Sequence, residues 1–163
     1  RQSFINVDGA KNQGVELEWR QNLAKYSKRL QDFAFQTNFT FVDSDVIIPV
    51  ERFPQLTSRN RPLVGQSRFI YNAIVEWSKP TLRSSARFYS NSVSRRITDV
   101  GTFQLPDIYQ ERNTFLDAVY QFDIRENGKW TLRFSAENLT NNNYRYSQSD
   151  ILIRSFRIGR TFT

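Results

Sequence analysis

The chain has 163 residues, a formal net charge of +7, and no Cys, Met or His. These absences exclude disulfide frameworks, thiolate or imidazole metal sites, cysteine nucleophiles and every histidine-dependent catalytic triad within the chain. We therefore predict that the protein is not an enzyme and uses no cofactor or metal ion.

The first part of the chain contains two strongly alternating segments. Residues 1–6 read as the tail of a strand and residues 8–14 as a loop. Val15, Leu17 and Trp19 then alternate with charged residues, and a run of Phe and Thr alternates with smaller or polar residues over residues 33–41. A helix has a period of 3.6, so alternation of this kind predicts strands. The connector between them, residues 24–31, is short and polar.

The middle of the chain repeats this arrangement with longer connections. Residues 43–62 contain three prolines and read as an irregular connection, and the chain is extended again from residue 63 to Trp77. A tight turn at residues 78–81 precedes a strand over residues 82–89. The next elements are a second long connection at residues 93–112 and a strand over residues 116–122.

The clearest strand follows Asn127-Gly128, a dipeptide typical of tight hairpin turns. Trp130, Leu132 and Phe134 lie on one face of this strand and polar residues on the other. The asparagine-rich residues 138–150 read as a loop, and residues 151–163 as one extended segment.

The lengths of the connections alternate without exception. The short ones are residues 24–31, 78–81 and 123–129, and the long ones are residues 43–62, 93–112 and 138–150. In an up-and-down antiparallel sheet, alternate connections lie at the same end. Short turns at one end and long loops at the other are typical of outer-membrane barrels. Strands of about ten residues, at ~3.3 Å per residue, also reach across an apolar band of ~25 Å.

The composition agrees with a membrane barrel. Aromatic residues make up 15% of the chain although the mean hydropathy is −0.60, and no apolar run reaches the ~18 residues of a transmembrane helix. Two other interpretations remain. One is a small stand-alone outer-membrane barrel with a structural or adhesive role. The other is a soluble β-sheet module that binds nucleic acid, which predicts aromatics interleaved with Lys and Arg on one face.

Four short motifs, in order along the chain, resemble the C-terminal third of a TonB-dependent outer-membrane receptor. They are G-V-E-L-E at residues 14–18, N-R-P-L-V-G-Q at residues 60–66, E-N-L-T-N-N-N-Y at residues 137–144 and G-R-T-F at residues 159–162.

The resemblance implies an all-β, antiparallel up-and-down transmembrane barrel segment. It supplies about seven or eight strands of a barrel with about 22 strands. Residues 1–163 are then the C-terminal portion of the barrel domain, without the plug domain. The implied function is TonB-energised uptake of a scarce ligand such as a siderophore, cobalamin or a glycan, in the bacterial outer membrane. The implied partners are the remaining strands and plug, outer-membrane lipid and lipopolysaccharide, and the TonB complex through an N-terminal part, but not nucleic acid.

Two sets of candidate site residues follow from these patterns. Trp19, Trp77 and Trp130 lie near the short-turn ends of their strands and are predicted to form a membrane-interface girdle. The alternative for them is the core of a soluble sheet. Arg59, Arg61, Arg95 and Arg96 lie in the long connections. We predict that they contact an anionic ligand or lipopolysaccharide through guanidinium groups, with solvated loop charge as the alternative.

Overall fold

The computed structural model describes residues 9–49, 51, 53–124 and 130–163. Within these residues it contains twelve β-strands, joined in places by short 3-10 turns. The strands are β1 (Ala10–Asn22), β2 (Phe33–Ile47), β3 (Asn60–Arg61), β4 (Phe69–Lys79), β5 (Ser84–Val93), β6 (Arg96–Asp99), β7 (Ile108–Gln110), β8 (Asn113–Asp123), β9 (Thr131–Glu137), β10 (Asn143–Gln148), β11 (Ile151–Arg157) and β12 (Thr161–Phe162). No helix in these ranges is long and apolar enough to cross a lipid bilayer.

Most strands form one antiparallel sheet, which we call the main sheet. Its order is β1-β2-β4-β5-β8-β9-β12, and the two-residue strand β3 pairs with the far end of β2. Neighbours in this sheet follow one another along the chain, so the topology is up-and-down. The all-β, antiparallel prediction of about seven or eight strands is confirmed.

The remaining strands form a second sheet with the order β11-β10-β7-β6. Along the chain, β5 leads into β6, β7 into β8, β9 into β10 and β11 into β12. The order across both sheets is therefore the same, and the second sheet continues the last four strands of the main sheet beyond a break. The prediction that residues 138–150 form a loop is wrong for Asn143–Gln148, which form β10 and pair with β11. The long connection predicted at residues 93–112 contains the hairpin β6–β7.

The break between the sheets has a local backbone cause. Asn138 and Asn141 adopt left-handed conformations, with φ of 55° and 48°, and Gly159 has φ of 91°. A strand cannot continue through such residues, which favour Asn and Gly because a β-carbon is disfavoured there. The extended segment predicted over residues 151–163 is consequently two strands in two sheets.

Two strand boundaries also differ from the predictions. β1 begins at Ala10, so residues 10–14, predicted as loop, pair with β2 from Val46 to Val42. Gly14 is required there because a β-carbon would lie 2.5 Å from the carbonyl oxygen of Phe41. β4 begins only at Phe69, since residues 63–68 form turns and bends.

The short connections lie together at one end of the main sheet, the short-turn end, and join β1 to β2, β4 to β5 and β8 to β9. In the first, Asn22 and Ser27 cap two 3-10 turns with their side chains. The second ends at Arg83, with φ of 51°. The predicted Asn127-Gly128 turn and the predicted strand tail at residues 1–6 lie outside the described residues.

The main sheet has one apolar and one polar face. Register places Val15, Leu17, Phe39, Tyr71, Phe88, Leu116, Tyr120, Phe134 and Phe162 on the same face, which we call the apolar face. The polar face carries cross-strand pairs such as Glu76–Arg87 and Asn72–Asn91. Ile70 and Ile74, which interrupt the polar pattern in the sequence, lie on that polar face.

The apolar face has no protein layer over it in the part of the chain that the structure describes. Leu17 is 63% exposed and Phe134 is 58% exposed, whereas the buried apolar residues are Val46, Ile48 and Ile97, all near the long connections. An apolar surface of this extent requires an apolar environment. Trp19 is 48% exposed and Trp130 is 60% exposed on this face.

Candidate functional site

The four arginines predicted to contact a ligand lie at the long-connection end of the main sheet. Arg61 belongs to β3 and is paired with Val46 of β2, and Arg59 lies just before β3. Arg96 begins β6, and Arg95 immediately precedes it. Two connections that are distant in sequence therefore bring these cations to the same end of the molecule.

Arg95 and Arg96 line one cavity, of about 270 Å³. A third cation, Arg68, lines it too, although the sequence analysis did not select it. The other lining residues are Val42, Asp43, Ser44, Pro62, Gln66, Ile97 and Tyr109. With three guanidinium groups and one carboxylate in its lining, the cavity favours anions.

Arg95 is held by an aromatic ring and a loose ion pair. Its guanidinium carbon lies 4.0 Å from the ring centroid of Tyr109, and its Nη2 atom is 3.9 Å from Oε1 of Glu111. The side chain is nevertheless 53% exposed. Stacking on the ring orients the guanidinium while leaving N–H donors for a carboxylate or phosphate.

Arg96 is oriented by an uncharged partner. Its Nε and Nη2 atoms both donate to Oε1 of Gln110, at 3.1 and 3.0 Å, and Gln110 is itself buried. Because an amide carries no net charge, these bonds position the guanidinium without neutralising it. Arg68 differs, since its Nη2 lies 2.8 Å from Oδ1 of Asp43 in a direct ion pair.

Arg61 is the least accessible of the predicted arginines. Burial lowers its pKa, and the nearby Asp107 and Tyr109 oppose that shift. Its Nε atom is buried and makes no hydrogen bond within the described residues. Asp107 is itself buried and accepts a hydrogen bond from the backbone N–H of Gly101 at 2.7 Å. Arg61 thus lies between the first two long connections.

Arg59 lies apart from the other three. It lines a separate, more open cavity of about 580 Å³ together with Phe103, Gln104 and residues 54–57. This cavity lies at the tips of two connections, which meet in an isolated bridge between Leu56 and Thr102. The structure therefore places two of the four predicted arginines, Arg95 and Arg96, at one cavity.

The three predicted interface tryptophans project from the apolar face near the short-turn end. Trp19 is opposite Thr37, and Trp77 is opposite Phe33 on the same strand, β2. Phe33 lies four positions nearer the short-turn end than Thr37. Across two strands, the tryptophan position therefore shifts by four residues.

The same shift continues to the third tryptophan. Trp77 is opposite Ala86 on β5, Ala86 is opposite Tyr120 on β8, and Tyr120 is opposite Phe134 on β9. Phe134 is therefore level with Trp77. Trp130 lies four positions nearer the short-turn end than Phe134, three strands away from Trp77. The average of about 1.6 residues per strand corresponds to a line inclined by roughly 50°, at ~3.3 Å per residue and ~4.8 Å between strands. This is close to the ~35–45° tilt of transmembrane barrel strands.

The apolar and polar faces of the main sheet, the alternation of short and long connections and the stagger of the tryptophans agree with a comparison of the sequence with protein families. A family model described as TonB dependent receptor-like, beta-barrel, matches residues 1–139. The chain belongs to this family. No curated protein and no solved structure matches the chain.

Membership gives this TonB-dependent receptor chain the role of an outer-membrane receptor or transporter. Its all-β sheet is a segment of the family's barrel, and the family is typically found in the bacterial outer membrane. In such barrels, the apolar face contacts lipid and the polar face lines the interior. The interface role of the tryptophans and the ligand role of the arginines stay predictions.

The motif at residues 137–144 of the receptor chain forms the corner between the two sheets. The backbone N–H of Asn138 donates to Oδ1 of Asp117 at 2.7 Å, and its side-chain amide donates to the carbonyl of Gly159. Its Oδ1 accepts the backbone N–H of Asn142 at 2.9 Å. Asn138 thereby joins three consecutive strands, which explains a buried asparagine in a loop-like sequence.

A second group that the sequence analysis missed is an aromatic stack on the β10–β11 hairpin. Tyr144 and Phe156 are stacked at 5.3 Å, and Tyr144 also lies 5.9 Å from Phe115 of β8. The guanidinium carbon of Arg154 lies 4.1 Å from the ring centroid of Tyr146. The alternation of Tyr144 and Tyr146 around Arg145 is a strand signal, but it is embedded in an asparagine-rich segment.

Proposed function

We propose that this chain forms part of the wall of a receptor that binds a scarce ligand outside the cell and imports it with energy supplied through TonB. The observation that supports the proposal is the cationic cavity at the long-connection end, which Arg95 and Arg96 line. Long connections of outer-membrane barrels lie on the extracellular side. A cavity at that end is reached from outside before the membrane is crossed.

The chemistry of the cavity favours a negatively charged ligand among the siderophores, cobalamins and glycans that the family resemblance implies. Arg95 is exposed and stacked, and the Arg96 guanidinium is held by a neutral amide. Guanidinium groups bind carboxylates and phosphates in bidentate geometry. An anionic metal chelate or an acidic glycan therefore fits better than a neutral ligand.

The sheet also supports the proposed partners. β1 and β12 are the edge strands of the main sheet, and each has one paired side within the described residues. Hydrocarbon does not tolerate an open sheet edge, so further barrel strands pair with both edges. The polar face, with its exposed Glu16, Glu18 and Arg133, faces a plug domain in the barrel interior. TonB contacts a part of the receptor other than this chain.

Arg95→Gln and Arg96→Gln test the ligand role in the full-length receptor. The measurement is binding and uptake of a ferric siderophore, cobalamin and an acidic oligosaccharide by cells that express each variant. We expect at least about a tenfold weaker affinity for the anionic ligand in each variant. The reason is that a hydrogen bond to a charged group contributes about 1.5–3 kcal/mol.

Arg59→Gln is the matched control, because it removes the same charge from the separate cavity. It should leave affinity nearly unchanged. Equal losses in all three variants would show that bulk loop charge, and not this cavity, attracts the ligand. Unchanged uptake in Arg95→Gln and Arg96→Gln would refute the ligand site.

A further inference from the structure

We propose that four cations at the long-connection border of the apolar face bind the phosphate groups of lipopolysaccharide in the outer leaflet. They are Lys11, Arg68, Arg112 and Arg160, which we call the cation row. The inference deepens the proposed function, since it rests on the proposed orientation of the receptor in the membrane.

Lys11 lies on the apolar face by register, and Arg68 is assigned to it by its contacts. Lys11 has the same strand parity as Val15 and is exposed. The guanidinium carbon of Arg68 lies 5.6 Å from the ring centroid of Phe41, which belongs to that face. The Arg68 side chain is 60% exposed despite its ion pair with Asp43. Lys11 therefore points to the outside of the wall, and Arg68 lies at its rim, where it also lines the cavity of Arg95 and Arg96.

Arg112 lies on the same face because it contacts residues of that face. Its Nε donates to the hydroxyl of Ser92 at 3.1 Å, and this hydroxyl lies 2.9 Å from that of Thr114. Ser92 and Thr114 are cross-strand partners in the apolar-face register. Arg160 shares the parity of Phe162, two residues later, and its Nε donates to the carbonyl of Leu139 at 3.1 Å.

The cations occur on every second strand, at positions that step steadily toward the short-turn end. Lys11 is opposite Asp45, whereas Arg68 is level with Val42, so the step across two strands is three residues. Lys11 precedes the apolar stretch of β1, and Arg68 precedes β4. Each cation thus lies where a strand enters the apolar band from the long-connection end.

The other two steps have the same direction. Extension of the β4–β5 and β5–β8 registers places Arg112 one residue nearer the short-turn end than Arg68. Extension of the β9–β12 and β8–β9 registers places Arg160 level with Leu116, which is four residues nearer the short-turn end than Arg112. The average step is about 1.3 residues per strand. At ~3.3 Å per residue and ~4.8 Å between strands, the row is inclined by roughly 40°, which matches the tilt of barrel strands.

The cation row therefore runs nearly parallel to the line of Trp19, Trp77 and Trp130 on the same face. Along β4, nine positions separate Arg68 from Trp77. With strands tilted by ~40°, this separation spans about 23 Å of membrane normal, close to the ~25 Å apolar band. The two lines mark the two borders of the membrane, and the cations lie at the border on the extracellular side.

Lipopolysaccharide fits this row better than a phospholipid does. Successive cations of the row are about 10–16 Å apart, given ~4.8 Å between strands and ~3.3 Å per residue along them, so one lipid that carries several phosphate groups on a sugar headgroup can contact two of them. A phospholipid presents a single phosphate. Arg is also the side chain whose planar donors match phosphate geometry.

The test uses the full-length receptor in zwitterionic lipid vesicles, with and without bis-phosphorylated lipid A. The variant is Arg112→Gln/Arg160→Gln, which leaves the ligand cavity intact and retains a donor at each site. We expect lipid A to raise the unfolding temperature of the wild-type receptor by several degrees and to raise that of the variant by less than half as much. The matched control, Arg20→Gln/Arg133→Gln, removes two charges from the polar face and should respond as the wild type does.

Three results would overturn the inference: an undiminished response of the variant, an equal response to dephosphorylated lipid A, or an equal response to inorganic phosphate alone. Ligand uptake by the same variant separates the two proposals. Normal uptake with a lost lipid response supports the cation row, whereas normal uptake with an undiminished lipid response refutes the row and leaves the ligand site standing.

Discussion

Single residues on β9 define which side of the wall meets lipid. Phe134 is exposed on the apolar face and lies four positions farther from the short-turn end than Trp130, which places it near the middle of the apolar band. Its neighbour Ser135 lies on the polar face at almost the same depth. Substitutions at these two positions compare the two faces at the same depth in the membrane. Thr131, also on the polar face, would be a poorer choice because it lies next to Trp130, near the membrane border.

Phe134→Arg should reduce the free energy of folding into lipid vesicles by about 2–4 kcal/mol, the effect of Arg at the bilayer midplane. Ser135→Arg should reduce it far less, because its side chain enters the polar interior. The measurement is reversible folding of the full-length receptor into vesicles at increasing urea. Equal losses would contradict the assignment of the two faces.

Asn138 is the residue whose role the sequence conceals most completely. Its left-handed backbone and its hydrogen bonds to Gly159 and Asn142 together form the corner between the sheets. Asn138→Gly retains access to positive φ but loses the side-chain bonds, and Asn138→Ala loses both. We expect destabilisation of about 1–3 kcal/mol for the glycine variant from the lost bonds. The alanine variant should lose about 1 kcal/mol more because of its β-carbon.

Chemical denaturation in vesicles measures both variants. A glycine variant as stable as the wild type would show that the corner depends on the backbone alone. If alanine were no worse than glycine, the positive φ would carry no strain.

The strands that cross the membrane can be predicted from the sequence, whereas the strands beyond the membrane cannot. β2, β4, β5, β8 and β9 were recognised because lipid on one side and a polar interior on the other impose alternation over many residues. β6 and β10 were missed because hairpins beyond the membrane have no lipid-facing side, and their sequences, such as Asn143–Gln148, contain the residue types of turns. Pairing with a neighbouring strand, which the sequence does not display, makes them strands.

The candidate site divides in the same way. Arg95 and Arg96 were found because arginines are conspicuous in long connections, but their common cavity depends on the β6–β7 hairpin. Arg68 was overlooked because residues 63–68 were assigned to a strand. The aromatic stack joins Tyr144 of β10 to Phe156 of β11. The sequence predicts a loop at Tyr144 and an extended segment at Phe156, so it does not show that the two residues belong to one hairpin.

For the whole molecule, the decisive property is which end faces outward. The chain has no Cys, so single cysteines at Thr57, Asp150, Lys28 and Thr81 of the full-length receptor introduce unique labels. An impermeant thiol reagent added to intact cells should label the first two positions and spare the last two, because long connections lie outside and short turns face the periplasm. Labelling after cell disruption provides the control for accessibility. Labelling of Lys28→Cys or Thr81→Cys on intact cells would invert the topology.

The continuation of four strands into the second sheet has a consequence for how the outer surface can change. β7 and β10 come from different connections yet pair with each other, at Gln110–Tyr146 and the two positions that follow. Residues inserted within either hairpin would shift it out of register with the other. Variation in length is therefore restricted to the tips, near residues 100–107 and 149–150. In this receptor segment, the paired hairpins keep a constant length and only their tips can gain or lose residues, so the outer connections do not vary independently of one another.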